Sequence, residues 1–235
     1  MINTSQVTSA ASRAIGALKR SPARRLALST ANKVRNRIDP LVFPEASAGD
    51  DQWQRVVMNK AIGAHLDKLR PATKTAAEIS GDAQAGRGWK SYRSLNYPDF
   101  DLCAPLTDPE RYDVVICEQV LEHVVDPFLA GRHLFELCQP GGHAVVSTPF
   151  LIKVHELPLY GLRDFWRFTP RGLRTLLEQS GFEVTSVSTW GNRLGVMGNL
   201  DRWSAHRPWL PLRNRPDLAV VVWAYARRPI DGAHP

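Results

Sequence analysis

The sequence predicts a single α/β domain built on a doubly wound, mostly parallel sheet with helices on both faces. Three observations carry this expectation. From about residue 75 onward, short apolar runs alternate with helix-forming segments, the order that lays parallel strands side by side with crossover helices between them. The run Tyr112 to Cys117, with Val114, Val115 and Ile116 at its centre, is apolar throughout its middle, as a strand buried on both faces requires. Asp126-Pro127 and Thr169-Pro170 each pair a capping side chain with a proline at the first helical position, so two helices have marked starts.

The elements follow in order. Residues 1–40 read as a basic arm, with eight Lys and Arg against Asp39 alone, which accounts for the whole net charge of +7. The remaining 22 basic and 22 acidic residues cancel. Such an arm suits an anionic membrane surface or a solvated extension. No aromatic residue interleaves with its charges, so it offers no stacking platform and no nucleic-acid partner is expected. A domain over 41–229 and a tail over 230–235 complete the expected division. Leu41-Val42-Phe43-Pro44 reads as an apolar anchor and Glu45 to Asp51 as a polar connector. Gln52 to Arg70 has helical periodicity, with Trp53, Val57, Ala61 and Ala64 on one stripe and Met58, Ile62, Leu66 and Leu69 on the next. That helix is expected to pack on a sheet edge or cover a cleft.

Strands are expected at Thr75 to Ser80, Tyr92 to Asn96, Tyr112 to Cys117, Ala144 to Thr148, Phe182 to Trp190 and Ala219 to Ala226. Helices run from Asp126 to Cys138 and from Thr169 to a stop at Gly181, and Pro140-Gly141-Gly142 turns the chain between helix and strand. Only 18 positions separate Glu78 from Asn96, so the connection between the first two strands holds a very short helix or none. Ligands of such sheets bind beyond the carboxyl ends of the strands, which directs attention to Ser80, Asn96, Cys117 and Thr148.

Composition narrows the class. With 43% hydrophobic and 23% charged residues the chain is ordinary globular material. Its longest apolar run, Leu218 to Ala226, is too short to span a bilayer, and the N-terminus lacks a signal-peptide pattern. Cys103, Cys117 and Cys138 are widely spaced without a C-x-x-C pair, consistent with reduced thiols in a cytoplasmic protein.

The stretch from Tyr112-Asp-Val-Val-Ile-Cys-Glu-Gln-Val-Leu-Glu-His-Val-Val-Asp to Pro127, continued by Gln139-Pro-Gly-Gly-His-Ala-Val-Val-Ser-Thr-Pro149, resembles the fourth strand, following helix and fifth strand of class I S-adenosylmethionine (SAM)-dependent methyltransferases of the type 11 kind. The resemblance implies a Rossmann-like sheet with an antiparallel edge strand and SAM as cofactor. Glu78 and Gly81 match the family's acidic residue and glycine turn, where backbone N–H groups approach the amino-acid part of the cofactor; Ser80 and Asp82 replace small residues. Asn96, followed by Tyr97, stands where the family has an acid for the ribose hydroxyls. Asp101 matches the position that meets the adenine amino group, with a turn cap as its structural alternative. Glu118 and Gln119 follow the fourth strand at the cofactor side. With Glu118 and Glu122 spaced i, i+4, the two share a face if the segment is helical.

Ubiquinone-biosynthesis O-methyltransferases resemble this segment and surround a divalent metal with two glutamates and a histidine. Alignment on Glu122-His123 puts Gln119 at the first glutamate, so no metal is expected. The loop Phe150 to Pro170 corresponds to the acceptor-side wall. Its Tyr160, Arg163, Asp164 and Trp166 are the candidate acceptor contacts, with an Arg167–Asp164 ion pair shaping the loop. Deprotonation of a hydroxyl acceptor suits a histidine titrating near neutrality, and the candidates are His155 and, second, His123. The acceptor class stays open among small molecules, lipids and glycans. A catalytically degenerate scaffold of the same fold is the alternative; a dinucleotide oxidoreductase is disfavoured because no G-x-G-x-x-G follows the first strand.

Overall fold

The computed structural model describes residues 52–230 except 108, 157–160, 201 and 208–212, and of the first 51 residues only 26, 29–30 and 33–34. The chain divides into two units, Met1–Glu45 and Ala46–Pro235. In the first, Leu26, Ser29, Thr30, Lys33 and Val34 are helical and exposed; the rest of the expected arm and the anchor at 41–44 lie outside the described residues.

In the second unit the sheet is organised around β3 (Tyr112–Glu118), flanked by β1 (Thr75–Ile79) and β4 (Cys138–Pro149). With β2 (Ser91–Leu95), β5 (Glu183–Trp190) and β6 (Val221–Arg227) the strand order is β2-β1-β3-β4-β6-β5. β2, β1, β3 and β4 pair in parallel, whereas β6 is antiparallel to both its neighbours, so β5 and β6 close one side as an antiparallel pair. No described residue between β2 and β3 forms a strand. Pro98, Pro105 and Pro109 punctuate that segment, and proline cannot donate to a ladder. The strand that the family resemblance counts as fourth is therefore third along this chain.

Alternate residues of the central strands enter two cores, which explains their near-continuous apolar runs. On one face Ala76, Val114, Ile116, Val145, Val221 and Trp223 meet Met58, Ile62 and Leu66 of helix α1 (Trp53–Lys68). On the other, Ala77, Val115, Cys117, Val146 and Ala224 meet α2 (Pro127–Leu137) and α3 (Pro170–Gln179). The buried stripe of α1 is Gln54, Met58, Ile62 and Leu66, each four residues on from the last. Ala64 is exposed, a correction to the stripe expected from sequence, and α1 covers a sheet face rather than an edge. Trp53, at its first turn, stacks on Trp190 at the tip of β5 with ring centroids 6.3 Å apart.

The caps form as their residue types dictate. The Asp126 carboxylate accepts from Phe128 N and Leu129 N at 3.0 and 2.9 Å, and Thr169 Oγ1 accepts from Gly172 N at 3.0 Å. Pro140-Gly141-Gly142 is not a turn before β4 but a bulge inside it. Tyr112 pairs with Cys138 and Val114 with His143, so three residues are looped out, and Gly141 supplies the required φ of +77°. One further helix, α4 (Arg193–Asn199), is N-capped by Asn192 and was not expected; three glycines at 191, 195 and 198 disguise it as loop. The β1–β2 connection holds only a 3-10 turn, Ala85–Arg87. No described helix is long and apolar enough to cross a membrane.

Candidate active site at the strand tips

The loop after β1 is built on Glu78. Its side chain is buried, and its two oxygens accept from Ala83 N (3.1 Å), Gln84 N (2.9 Å) and the Tyr92 hydroxyl (2.7 Å). These N–H groups, which the family resemblance leaves free to approach a cofactor, are thus committed to Glu78. The carboxylate organises the loop from behind. Ser80 takes φ +53°, a backbone conformation glycine adopts at no steric cost. A Cβ at Gly81 would lie 2.8 Å from Glu78 Oε1, so glycine at this position protects the carboxylate cluster. Gln84 then bridges the loop to the tip of β3, donating to Glu118 Oε1 at 2.8 Å while accepting from Arg87 Nε at 2.5 Å. Burial, partly offset by that donation from Gln84, raises the Glu118 carboxyl pKa.

After β3 the chain turns instead of forming a helix. Gln119 has φ +58°, which breaks the i, i+4 relation expected between Glu118 and Glu122. Gln119 donates through Nε2 to Ser147 Oγ at 3.2 Å, fixing the turn to the tip of β4. Glu122 is fully buried, and neither carboxyl oxygen has a hydrogen-bond partner. Burial pushes its pKa up to about 8, so the carboxyl holds a proton near neutrality. The unfolded carboxyl titrates near 4.3; stability contributed by the protonated folded form is therefore complete below about pH 4 and lost as pH rises to 8. Glu122→Gln should flatten the fall in melting temperature between pH 5 and 8.5; an unchanged slope would show that Glu122 is ionised in the fold.

Two histidines stand against this carboxyl. His123 donates through Nδ1 to the Arg163 carbonyl at 2.6 Å, which leaves Nε2 3.8 Å from Glu122 Oε1. His155 packs edge-on to His123, centroids 5.0 Å apart, and edge-on to Trp203 at 5.2 Å. Behind His155 lies Asp164, its side chain fully buried. Asp164 accepts from His155 N at 2.7 Å and from Arg167 Nη2 at 2.5 Å, and its Oδ2 lies 3.0 Å from His155 Nδ1 without hydrogen-bond alignment. Burial alone would raise the Asp164 pKa; the hydrogen bonds from Arg167 and His155 N bring it below the usual carboxylate range. Burial lowers the His155 pKa, opposed by Asp164, so the imidazole is neutral at physiological pH. Glu122, His123 and His155 bring one ligand atom each within 4.8 Å of one another and can hold a metal ion.

Two cavities meet this wall from opposite sides. One, of about 220 Å³, lies over the tips of β1 and β3 and is lined by Ser80, Asp101, Val120 and His123, with Tyr97, Phe100 and Leu102 among its apolar and aromatic walls. The other, of about 180 Å³, is lined by Gln54, Arg55, Gln119, His155, Trp203 and Val220 among others. The first suits a nucleoside: flat apolar walls, plus Asp101, one oxygen of which accepts from Cys103 N at 2.8 Å as a turn cap. Asn96 is exposed, accepts from Ser94 Oγ at 3.0 Å and is not among the residues lining this cavity.

The remaining expected residues are placed as follows. Arg163 lines the 220 Å³ cavity and not the 180 Å³ one, and Asp164 stands behind His155 and lines neither. Trp166 is partly exposed and donates from Nε1 to the Val124 carbonyl at 2.9 Å, which ties the loop down. Tyr160 lies outside the described residues. Sequence reasoning passed over Arg55 and Trp203. Arg55 falls between the apolar stripes of α1 and looks solvated, though a Gln-Trp-Gln-Arg run opening an apolar helix was a usable signal.

A doubly wound sheet with a nucleoside-sized cavity at its strand tips and a second, separately walled cavity beside it is the arrangement of a group-transfer enzyme with a nucleotide-type donor. Residues 20–187 match the model of a methyltransferase-domain family, and the chain belongs to that SAM-dependent family. It is similar to the ubiquinone biosynthesis O-methyltransferases of Aliivibrio fischeri strain MJ11, 38% identical over 66 residues covering 28% of each chain, and of Coxiella burnetii strain Dugway 5J108-111, 28% identical over 130 residues covering 55% of this chain and 53% of that one. The chain thus matches about a quarter to a half of the length of these relatives. Among solved structures it is similar to the N-methyltransferase NodS from Bradyrhizobium japonicum WM9 in complex with S-adenosyl-L-homocysteine, at 14% identity, 72% and 87% coverage and a TM-score of 0.42.

Proposed function

We propose that the protein transfers a methyl group from SAM to a hydroxyl oxygen of a small organic acceptor seated in the 180 Å³ cavity. The observation that carries this reading is the His155–Asp164 pair at the wall of that cavity, backed by His123 on the other side. The names of the O-methyltransferase relatives support an oxygen acceptor. When bound, SAM supplies an electrophilic methyl carbon. The adenine end would sit between the apolar walls near Asp101, with the loop held by Glu78 and Gln84 behind it.

The protein's part is alignment and proton removal. His155 takes the hydroxyl proton as the new carbon–oxygen bond forms and the carbon–sulfur bond breaks. Asp164, fixed by Arg167, holds the His155 backbone N–H and places its charge 3.0 Å from Nδ1, which stabilises the cationic imidazole.

Calorimetric titration tests the first half of this proposal. SAM should bind the full chain with one-to-one stoichiometry, and Phe100→Asp, in the wall of the 220 Å³ cavity, should weaken it at least tenfold. No heat at millimolar SAM would defeat the proposal.

A further inference from the structure

We infer that the 180 Å³ cavity recognises a carboxylate through Arg55, so that the methyl acceptor is a small hydroxy acid. The inference rests on the acceptor role proposed for this cavity. Arg55 makes no hydrogen bond or ion pair with any described residue. Three other arginines of the domain are engaged: Arg87 with Asp67 at 2.7 Å, Arg167 with Asp164, and Arg228 with the carbonyls of Phe135 and Cys138 at 3.0 and 2.9 Å. Part of the Arg55 residue reaches solvent, yet its guanidinium is desolvated, which lowers its pKa. The carboxylates whose charge acts on it, Glu122 and Glu118, do not pair with it. Among the described residues no side chain hydrogen-bonds this cation in the cavity wall, and Glu118 and Glu122 act on it only beyond ion-pair distance.

The surroundings define what would neutralise it. Arg55 is the one Lys or Arg among the described lining residues, and a single planar guanidinium matches one carboxylate better than a phosphate dianion. Ile152, Val220 and Trp203 supply apolar walls. The volume accepts one ring, since an apolar cavity of about 150 Å³ holds benzene. Gln54 is buried with Oε1 unpartnered, an acceptor awaiting a donor such as a hydroxyl. The ligand that satisfies all of these carries a carboxylate, a compact apolar body and a hydroxyl. Methylation then forms the O–CH3 bond at that hydroxyl, breaks the S–CH3 bond of SAM and leaves the proton on His155. The carboxylate of SAM itself is the competing occupant. SAM titrated into Arg55→Gln separates the two occupants.

Benzoate and its neutral isostere benzamide test the inference, each titrated calorimetrically into the full chain, with SAM titrated in parallel. Benzoate should bind at least tenfold more tightly than benzamide in the wild-type protein, a comparison that needs no variant. Arg55→Gln should lower benzoate affinity tenfold or more and leave SAM affinity within twofold, with Arg55→Lys in between. Equal binding of the two probes, no benzoate binding at millimolar concentration, or benzoate affinity unchanged in Arg55→Gln would overturn it. A parallel loss of SAM affinity in Arg55→Gln would overturn it too, by assigning Arg55 to the cofactor. Benzoate binding of the expected pattern in a chain that ignores SAM would sustain the carboxylate site while removing the methyl-transfer proposal.

Discussion

His155→Ala is expected to lower turnover by about 10²–10⁴-fold, the range of a lost general base, while SAM affinity stays within about twofold. The separation follows from the geometry, since His155 lines the 180 Å³ cavity and not the one over β1 and β3. Asp164→Asn should reproduce much of the loss, because the amide keeps an acceptor for His155 N but removes the charge that favours imidazolium. It should also move the acidic limb of the rate profile to lower pH, since the Asp164 charge raises a His155 pKa that burial depresses. A chelator distinguishes the roles of the histidine cluster. A rate unaffected by chelation fits a base, whereas a rate abolished by chelation and restored by a divalent ion would make His155 a ligand alongside Glu122 and His123. Parallel loss of SAM binding and turnover in His155→Ala would reduce the residue to a structural role.

Glu78→Ala should be the most destabilising single change at the site. It strips the acceptor from Ala83 N, Gln84 N and the Tyr92 hydroxyl in a place almost closed to water. At roughly 1–3 kcal/mol for each of the three donors left unsatisfied, the loss is about 3–9 kcal/mol, a large part of typical domain stability. Tyr92→Phe, which removes one donor and keeps the carboxylate, should cost about 1 kcal/mol. Gly81→Val should behave like a weaker Glu78→Ala, because its new Cβ crowds Glu78 Oε1. Urea melts read the stabilities, and SAM affinity should fall with them as the loop disorders. A Glu78→Ala protein within 1 kcal/mol of wild type would mean that the loop is held by the Ser94–Gly81 and Gln84–Glu118 contacts instead.

What the sequence makes legible is what is local. Tyr112 to Glu118 reads as a buried strand because each residue's neighbours along the chain carry the information, and Asp126 and Thr169 announce helix starts because capping is completed within three residues. The short β1–β2 connection follows from spacing alone. What fails is what depends on a single dihedral or on a distant partner. Gln119 at φ +58° converts an expected helical face into a turn. The clustering of Glu122, His123 and His155 spans two strand tips and shows in no local pattern. Asp164 has the composition of an acceptor contact, and only the fold places it behind His155. Arg55 and Trp203 enter the cavity from opposite ends of the domain sequence, so neither could be assigned without the tertiary structure.

The position of β6 governs the order in which this sheet can be completed. β6 is the last strand among the described residues, yet it lies between β4 and β5 and pairs with both over seven positions each. Until residue 227 has been synthesised, β4 presents an unpaired edge and β5 has no neighbour. The apolar residues Val145 and Val146 stay open along that edge. Such pairing closes a loop of roughly seventy residues between Pro149 and Val221, and contacts of long sequence separation form slowly. An emerging chain therefore carries an adhesive strand edge for as long as its final strand is missing. Truncation just before Val221 would make that state permanent, turning a transient folding intermediate into a nucleus for self-association.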